Sequence, residues 1–304
     1  MTAFARALAA MLLVSATARA AEHEWAAPPH RRDADERVAV SLETRAGLVD
    51  APFVTTAFPE VSGFATLLTP AAGVRFPSVG WLRLRLPVSV VRLDFPAGAQ
   101  VAETALGNLE LGVERPFELR PPTRFGFSGA FVAPTATHGP ETALLDNRTL
   151  ALSSALGAHQ EQALLTPGVV GVRLGASVEH DLGRFTFSAA VDLPMLVRIS
   201  DASLPADADT HAIGVLPALD VQAALWITSW FGASLGGGVL TEPWRVQEPS
   251  RQRDRRQRLQ FVLEPGLHFT LGDAVRLGLD GDVPVGGSLG GDAWSLGLRG
   301  RFGF

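Results

Sequence analysis

Arginines and carboxylates recur along this chain at spacings that would line one surface with fixed charges. Arg83 and Arg85 stand two positions apart, as do Arg299 and Arg301 and the pair Asp280 and Asp282; Glu110 and Glu114 stand four apart. Arg173, Asp192, Asp220, Glu264, His268 and Arg276 share the same setting of alternate small or polar positions. Such charges can do one of two things. They can pair across neighbouring strands into a rigid lining, or they can form an eyelet that sorts passing molecules by charge. A hairpin register in which paired numbers sum to about 195 would set Arg85 opposite Glu110 and Arg83 diagonal to Glu114. Pairing is the favoured expectation, because small closed sheets fill their interiors with side chains.

Other chemistries find less support. The chain has no cysteine, which excludes disulfides, thiolate nucleophiles and thiolate metal sites. A hydrolytic site needs a serine or threonine beside a histidine, with a third group to orient it. Of the histidines His23, His30, His138, His159, His180, His211 and His268, only His268 falls in a well-patterned segment on the polar parity. No serine of matching depth is expected beside it, so no catalytic residue and no enzymatic activity are expected. No pair of histidines has ligand spacing, and neither metal nor cofactor is expected. A net charge of −5 argues against nucleic acid as a partner. One basic cluster stands out between Arg245 and Arg258, where Arg251, Arg253, Arg255 and Arg256 crowd together. On a bacterial surface their forked guanidinium groups would suit the phosphates and carboxylates of lipopolysaccharide, with a solvated charged loop as the equal alternative.

The elements that position these residues are strands. From Arg37 onward the apolar residues recur at every second position, not at the helical period. At the C-terminus Trp294, Leu296, Leu298, Phe302 and Phe304 share one face, while Ser295, Gly297, Arg299, Arg301 and Gly303 share the other. Leu82, Leu84 and Leu86 alternate with Trp81, Arg83 and Arg85, and Phe185 and Phe187 with Thr186 and Ser188. An apolar outer face over a polar or small inner face is the pattern of a transmembrane β-barrel. The connections agree: short turns alternate with longer links, as in outer-membrane barrels. The fold class expected is therefore all-β, an antiparallel transmembrane β-barrel of about twelve strands, with ten as the alternative. Short turns would be periplasmic and long links extracellular. Trp226, Trp230, Trp244, Phe302 and Phe304 would form aromatic girdles at the two interfaces.

The N-terminus fits export. Arg6, the apolar run from Ala7 to Val14, and the small residues Ala18 and Ala20 follow the order of a cleaved secretory signal. The expected organisation is a signal peptide over 1–20, a loose periplasmic tail over 21–36 and the barrel over 37–304. The expected location is the outer membrane of a Gram-negative bacterium, with no inference about oligomeric state. All 26 basic residues are arginine and there is no tyrosine. That composition suits GC-rich codon usage and carries no function.

Several segments resemble the outer-membrane barrel family associated with the meta pathway of phenol degradation. They are GWLRLRLPV (80–88), ALGNLELGVERPF (105–117), FGFSGAFVAPT (125–135) and FVLEPGLHFTLGDAVRLGLDGDVPV (261–285). Asn108 stands where that family usually has aspartate. The resemblance implies a twelve-stranded barrel and passage of small organic molecules, hydrophobic or aromatic ones among them. It brings no catalytic or ligand residues. The terminal Phe302 and Phe304 also look like the signal read by the barrel assembly machinery, which with membrane lipid and lipopolysaccharide completes the expected partners. The expectation is thus a channel or passive transporter. The alternative is a structural or surface-interaction barrel with a plugged lumen.

Overall fold

The alternation becomes twelve long strands in the computed structural model, which describes residues 36–49, 62–94, 100–120, 122–136, 162–199, 213–241, 259–272, 274–287 and 293–304. They are β1 (Val38–Val49), β2 (Ser62–Phe76), β3 (Gly80–Arg85, resuming as Val88–Asp94), β4 (Gln100–Leu106, resuming as Leu109–Arg120), β5 (Thr123–Ala133) and β6 (Val169–Leu182). Then come β7 (Phe185–Arg198), β8 (Ile213–Val215, resuming as Ala218–Trp226), β9 (Phe231–Thr241), β10 (Leu259–Leu271), β11 (Val275–Gly286) and β12 (Ala293–Gly303). A single helical turn, α1 (Gln162–Leu165), lies between β5 and β6.

Each strand pairs antiparallel with its sequence neighbours, and β1 closes the sheet against β12. Closure removes the strand edges except at the link-end pieces Gln100–Leu106 and Ile213–Val215, each paired on one side among the described residues, and a closed wall is what allows a sheet to sit in lipid. Most strands have eleven or more residues, enough to cross a hydrocarbon core when tilted. The tight turns at 77–79, 183–184 and 272–274 all fall at one end, here called the turn end. Gly183 and Gly272 supply positive φ angles of 65° and 68° there. The strand ends that the longer links join, Ala133 and Val169 among them, and Thr241 and Leu259, lie at the other end.

The sheet is apolar outside and polar inside. Leu84, Leu111, Phe127, Phe131, Leu174, Phe187 and Leu263 are exposed on the outer surface, while Arg45, Arg85, Glu110, Asp280 and Arg299 are buried. A soluble protein cannot carry so continuous an apolar belt. Three strands are interrupted, two of them at a proline, where the ladder lacks an N–H. Across the first break, Arg85 pairs with Glu110 but Val88 pairs with Leu106, so β4 carries one extra residue. This bulge turns both Gly107 and Asn108 inward, where they are buried.

Candidate functional site: the barrel lumen

Two ion-pair networks span the middle of the lumen. In the first, Arg85 on β3 lies opposite Glu110 on β4, and their charged atoms are 2.9 Å apart. Glu110 uses its second oxygen to accept from Arg173 on β6, also at 2.9 Å, and Arg173 reaches Asp192 on β7 at 2.7 Å. The Arg173–Glu110 contact passes over β5. It can do so because Arg173 and Gly112 both stand opposite Ala130, a residue too small to intervene. Arg83 pairs with Glu114 at 2.9 Å one step nearer the turn end.

The second network sits at the closing seam. Arg45 on β1 donates to Glu43 at 2.9 Å, to Asp280 on β11 at 2.8 Å and to Asp282. Arg299 on β12 donates to the same Asp280 at 2.6 Å. Here the strand passed over is β12, and the small residue is Gly297. A Cβ at that position would lie 2.9 Å from Asp280 Oδ1 and 3.1 Å from Arg45 Nη2.

At the turn end the chain's own N-terminal approach enters the lumen. Glu36, just before β1, is 7% exposed, and its carboxylate accepts from Arg276 at 2.9 Å and from Arg301 at 2.7 Å. The Arg301 guanidinium lies 5.2 Å from the ring centre of the buried Trp81, across from it on β3. The rest of the expected tail and signal, with Ala18 and Ala20, lies outside the described residues.

Toward the link end the inner face changes character. Val132, Ala163, Val169, Leu196 and Leu216 form one buried apolar cluster, and Leu240 and Val262 form another. Ala163 belongs to α1, so part of the β5–β6 link folds inside the wall. The bulge residue Asn108 holds it there. Its side-chain amide donates to the carbonyls of Ala163 and Thr166, its side-chain carbonyl accepts from Ala136 N–H, and its own N–H donates to Leu164. Asn108 is fully buried, so these bonds satisfy a group that would otherwise be costly to bury. Gly107 leaves room for the contact, since a Cβ there would meet the Leu164 carbonyl at 2.5 Å.

Two expectations need correction. A serine does stand at the depth of His268: Ser234 on β9 shares a 2.7 Å hydrogen bond with His268 Nε2, and Gln222 on β8 donates to the same hydroxyl. Ser234 pairs with Gly266, two residues from His268, so the contact is diagonal and invisible to a search of directly opposed residues. The backbone around the pair lies in the β9–β10 ladder. The arrangement is a polar chain around the wall linking three strands. Trp226 is the second correction. It does not join an interfacial girdle but is buried, its ring 6.3 Å from that of His268, while Trp230 is the exposed one. Its place on the inward parity of β8 is the reason.

The other expected lumen residues also sit on the inner face. Glu264 is buried beside Gly236, and Asp220 is half-buried opposite Ala190 and Gly238. Phe302 and Phe304 stack at 5.7 Å where β12 meets β1. Arg251, Arg253, Arg255, Arg256 and Trp244 lie outside the described residues. Sequence reasoning missed Glu36, Glu43, Arg45 and Ser234. Among the described residues no group of histidine, aspartate or glutamate side chains has the geometry of a metal site.

No protein-family description matches the chain, and no curated protein does. Solved structures do match. The COG4313 outer membrane channel from Pseudomonas putida F1 superposes with a TM-score of 0.62 over 88% of this chain and 96% of that one, at 11% identity. The two share a fold. The NanC porin is a looser match, with a TM-score of 0.45 at 9% identity over 86% of this chain and 100% of that one.

Proposed function

We propose that this chain is an outer-membrane channel or passive transporter for small molecules with a hydrophobic or aromatic body, and that it has no enzymatic role. One observation carries the reading: the inner wall is apolar at the link end, where Val132, Val169, Leu196, Leu216, Leu240 and Val262 are buried in the lumen. Part of this wall packs against Ala163 of α1, and the aliphatic surface continues at Leu240 and Val262 on β9 and β10. An apolar mouth above a charged waist gives a small organic molecule a place to leave water. The shared fold with an outer membrane channel and the resemblance to the phenol-degradation barrels are in keeping with this. The same reading includes export by a signal cleaved after Ala20, insertion by the barrel assembly machinery acting on Phe302 and Phe304, and lipopolysaccharide contact through Arg251, Arg253, Arg255 and Arg256.

The competing reading is a plugged barrel, favoured by the two networks that cross the waist. Proteoliposome swelling in phenol, benzyl alcohol and a sugar of similar size separates them. A channel of this kind should admit the two aromatic solutes faster than protein-free vesicles do. No excess permeability for any solute would overturn the proposal in favour of the plugged barrel.

A further inference from the structure

We infer that Arg276 and Arg301 form a carboxylate-binding site at the turn end of the lumen, which the chain's own Glu36 fills in place of a permeant organic acid. The inference deepens the channel reading by naming a class of permeant, an apolar or aromatic body bearing one carboxylate.

The geometry is that of a bound ligand more than of a strand contact. Inward positions on β1 are odd-numbered, as Glu43 and Arg45 show, so Glu36 reaches the lumen only because the chain turns in before the strand begins. Its two oxygens are shared between two strands, one accepting from Arg276 on β11 and the other from Arg301 on β12. Arg301 is in turn laid against the Trp81 ring, which orients the guanidinium. The seat is cut to fit: Gly303 has no side chain where a Cβ would collide with the Glu36 carboxyl group. Both arginines are almost wholly buried, as is Glu36. A buried guanidinium pair strongly favours an anion, so an acid arriving from the apolar mouth would find its best resting place there once Glu36 leaves.

Glu36 is well suited to leave. It precedes the ladder, which begins at Arg37 with its N–H on the Phe304 carbonyl, so the Glu36 side chain can rotate away while the backbone behind it stays in place. The carboxylate therefore acts as an internal competitor: it neutralises the arginines in the resting barrel and gives way to a substrate of the same chemistry.

The test uses the full mature chain in detergent, with benzoate as the probe and benzamide as its neutral match. Benzoate affinity is read by isothermal titration, and the melting temperature is followed alongside. Glu36→Ala should bind benzoate at least about tenfold more tightly than the unmodified protein, because a competing charge-assisted contact has been removed. Benzamide should show no such gain, and adding Arg301→Gln to Glu36→Ala should abolish it. Benzoate should also restore the melting temperature that Glu36→Ala loses, since a ligand that binds only the folded state stabilises it. Equal benzoate affinity with and without Glu36, or equal gain for benzamide, would overturn the site. If Glu36→Ala proves too unstable for titration, rescue of its melting by benzoate and not by benzamide decides the matter. Solute flux in vesicles judges the channel reading separately. Benzoate binding without flux would leave the site standing and remove the channel, and flux without a Glu36-dependent affinity would do the reverse.

Discussion

The two networks of the waist look alike and are held in place differently. Arg85, Glu110, Arg173 and Asp192 sit on strands joined in sequence order, from β3 to β7, and each could find its partner as the hairpins form. Arg45, Glu43, Asp280, Asp282 and Arg299 join the first strand to the last two, across the seam. In each, an arginine reaches over a strand at a small residue, Ala130 in one case and Gly297 in the other. The difference lies in how many carboxylates share one cation. Arg173 bridges two, of which Glu110 also has Arg85, whereas Arg45 bridges three, of which Asp280 and Glu43 also have Arg299. The seam, which has the least help from local chain connectivity, thus depends most on one cation.

That comparison can be broken by substitution. Arg45→Leu should have the largest effect, about 3–5 kcal/mol, because three buried carboxylates lose a donor at once. Arg173→Leu should cost less, about 2–3 kcal/mol, as Glu110 retains a charged donor. Unfolding in urea in detergent or lipid measures both, and equal losses would mean that the seam has no special dependence. Gly297→Ala should cost about 1–2 kcal/mol, since the added methyl presses on the Arg45–Asp280 contact. It should cost less in an Arg45→Leu background, where Asp280 is released from one of its two arginines and can move off the methyl. The finest effect is a coupling. Glu110→Gln and Arg85→Gln should each destabilise, while the double variant recovers about 1 kcal/mol of the summed loss. Strict additivity would show that the 2.9 Å contact carries no energy of its own.

The sequence disclosed most of the fold because a membrane imposes a regular pattern. Period-2 alternation marks the wall, and the asymmetry of turns and links marks its two ends. The register of β3 on β4 was readable too, since the spacing of Arg83 and Arg85 against Glu110 and Glu114 suffices to align these neighbours. The seam was not. Nothing local in Glu43 or Arg45 points to residues more than two hundred positions away, although closure requires the first and last strands to meet. Complementary charges on those two strands were the available signal. Ser234 escaped notice for a smaller reason: its partner lies on the diagonal and not directly opposite. Glu36 lay beyond the alternation altogether, in a stretch whose composition reads as an unstructured tail.

Asn108 has an effect on the long link that reaches past the lumen. It bonds to Ala136 on one flank of that link and to Ala163 and Thr166 on the other, so both flanks are fastened to a single side chain. Whatever stands between them then begins and ends at one fixed point. The entropy of closing such a loop grows only with the logarithm of its length, so doubling it costs about 0.6 kcal/mol. Residues could be added between the two flanks, an epitope or even a small domain, while the anchor and the wall beneath stay as they are. The barrel therefore has, at its link end, a position where its surface can be rewritten without renegotiating its interior.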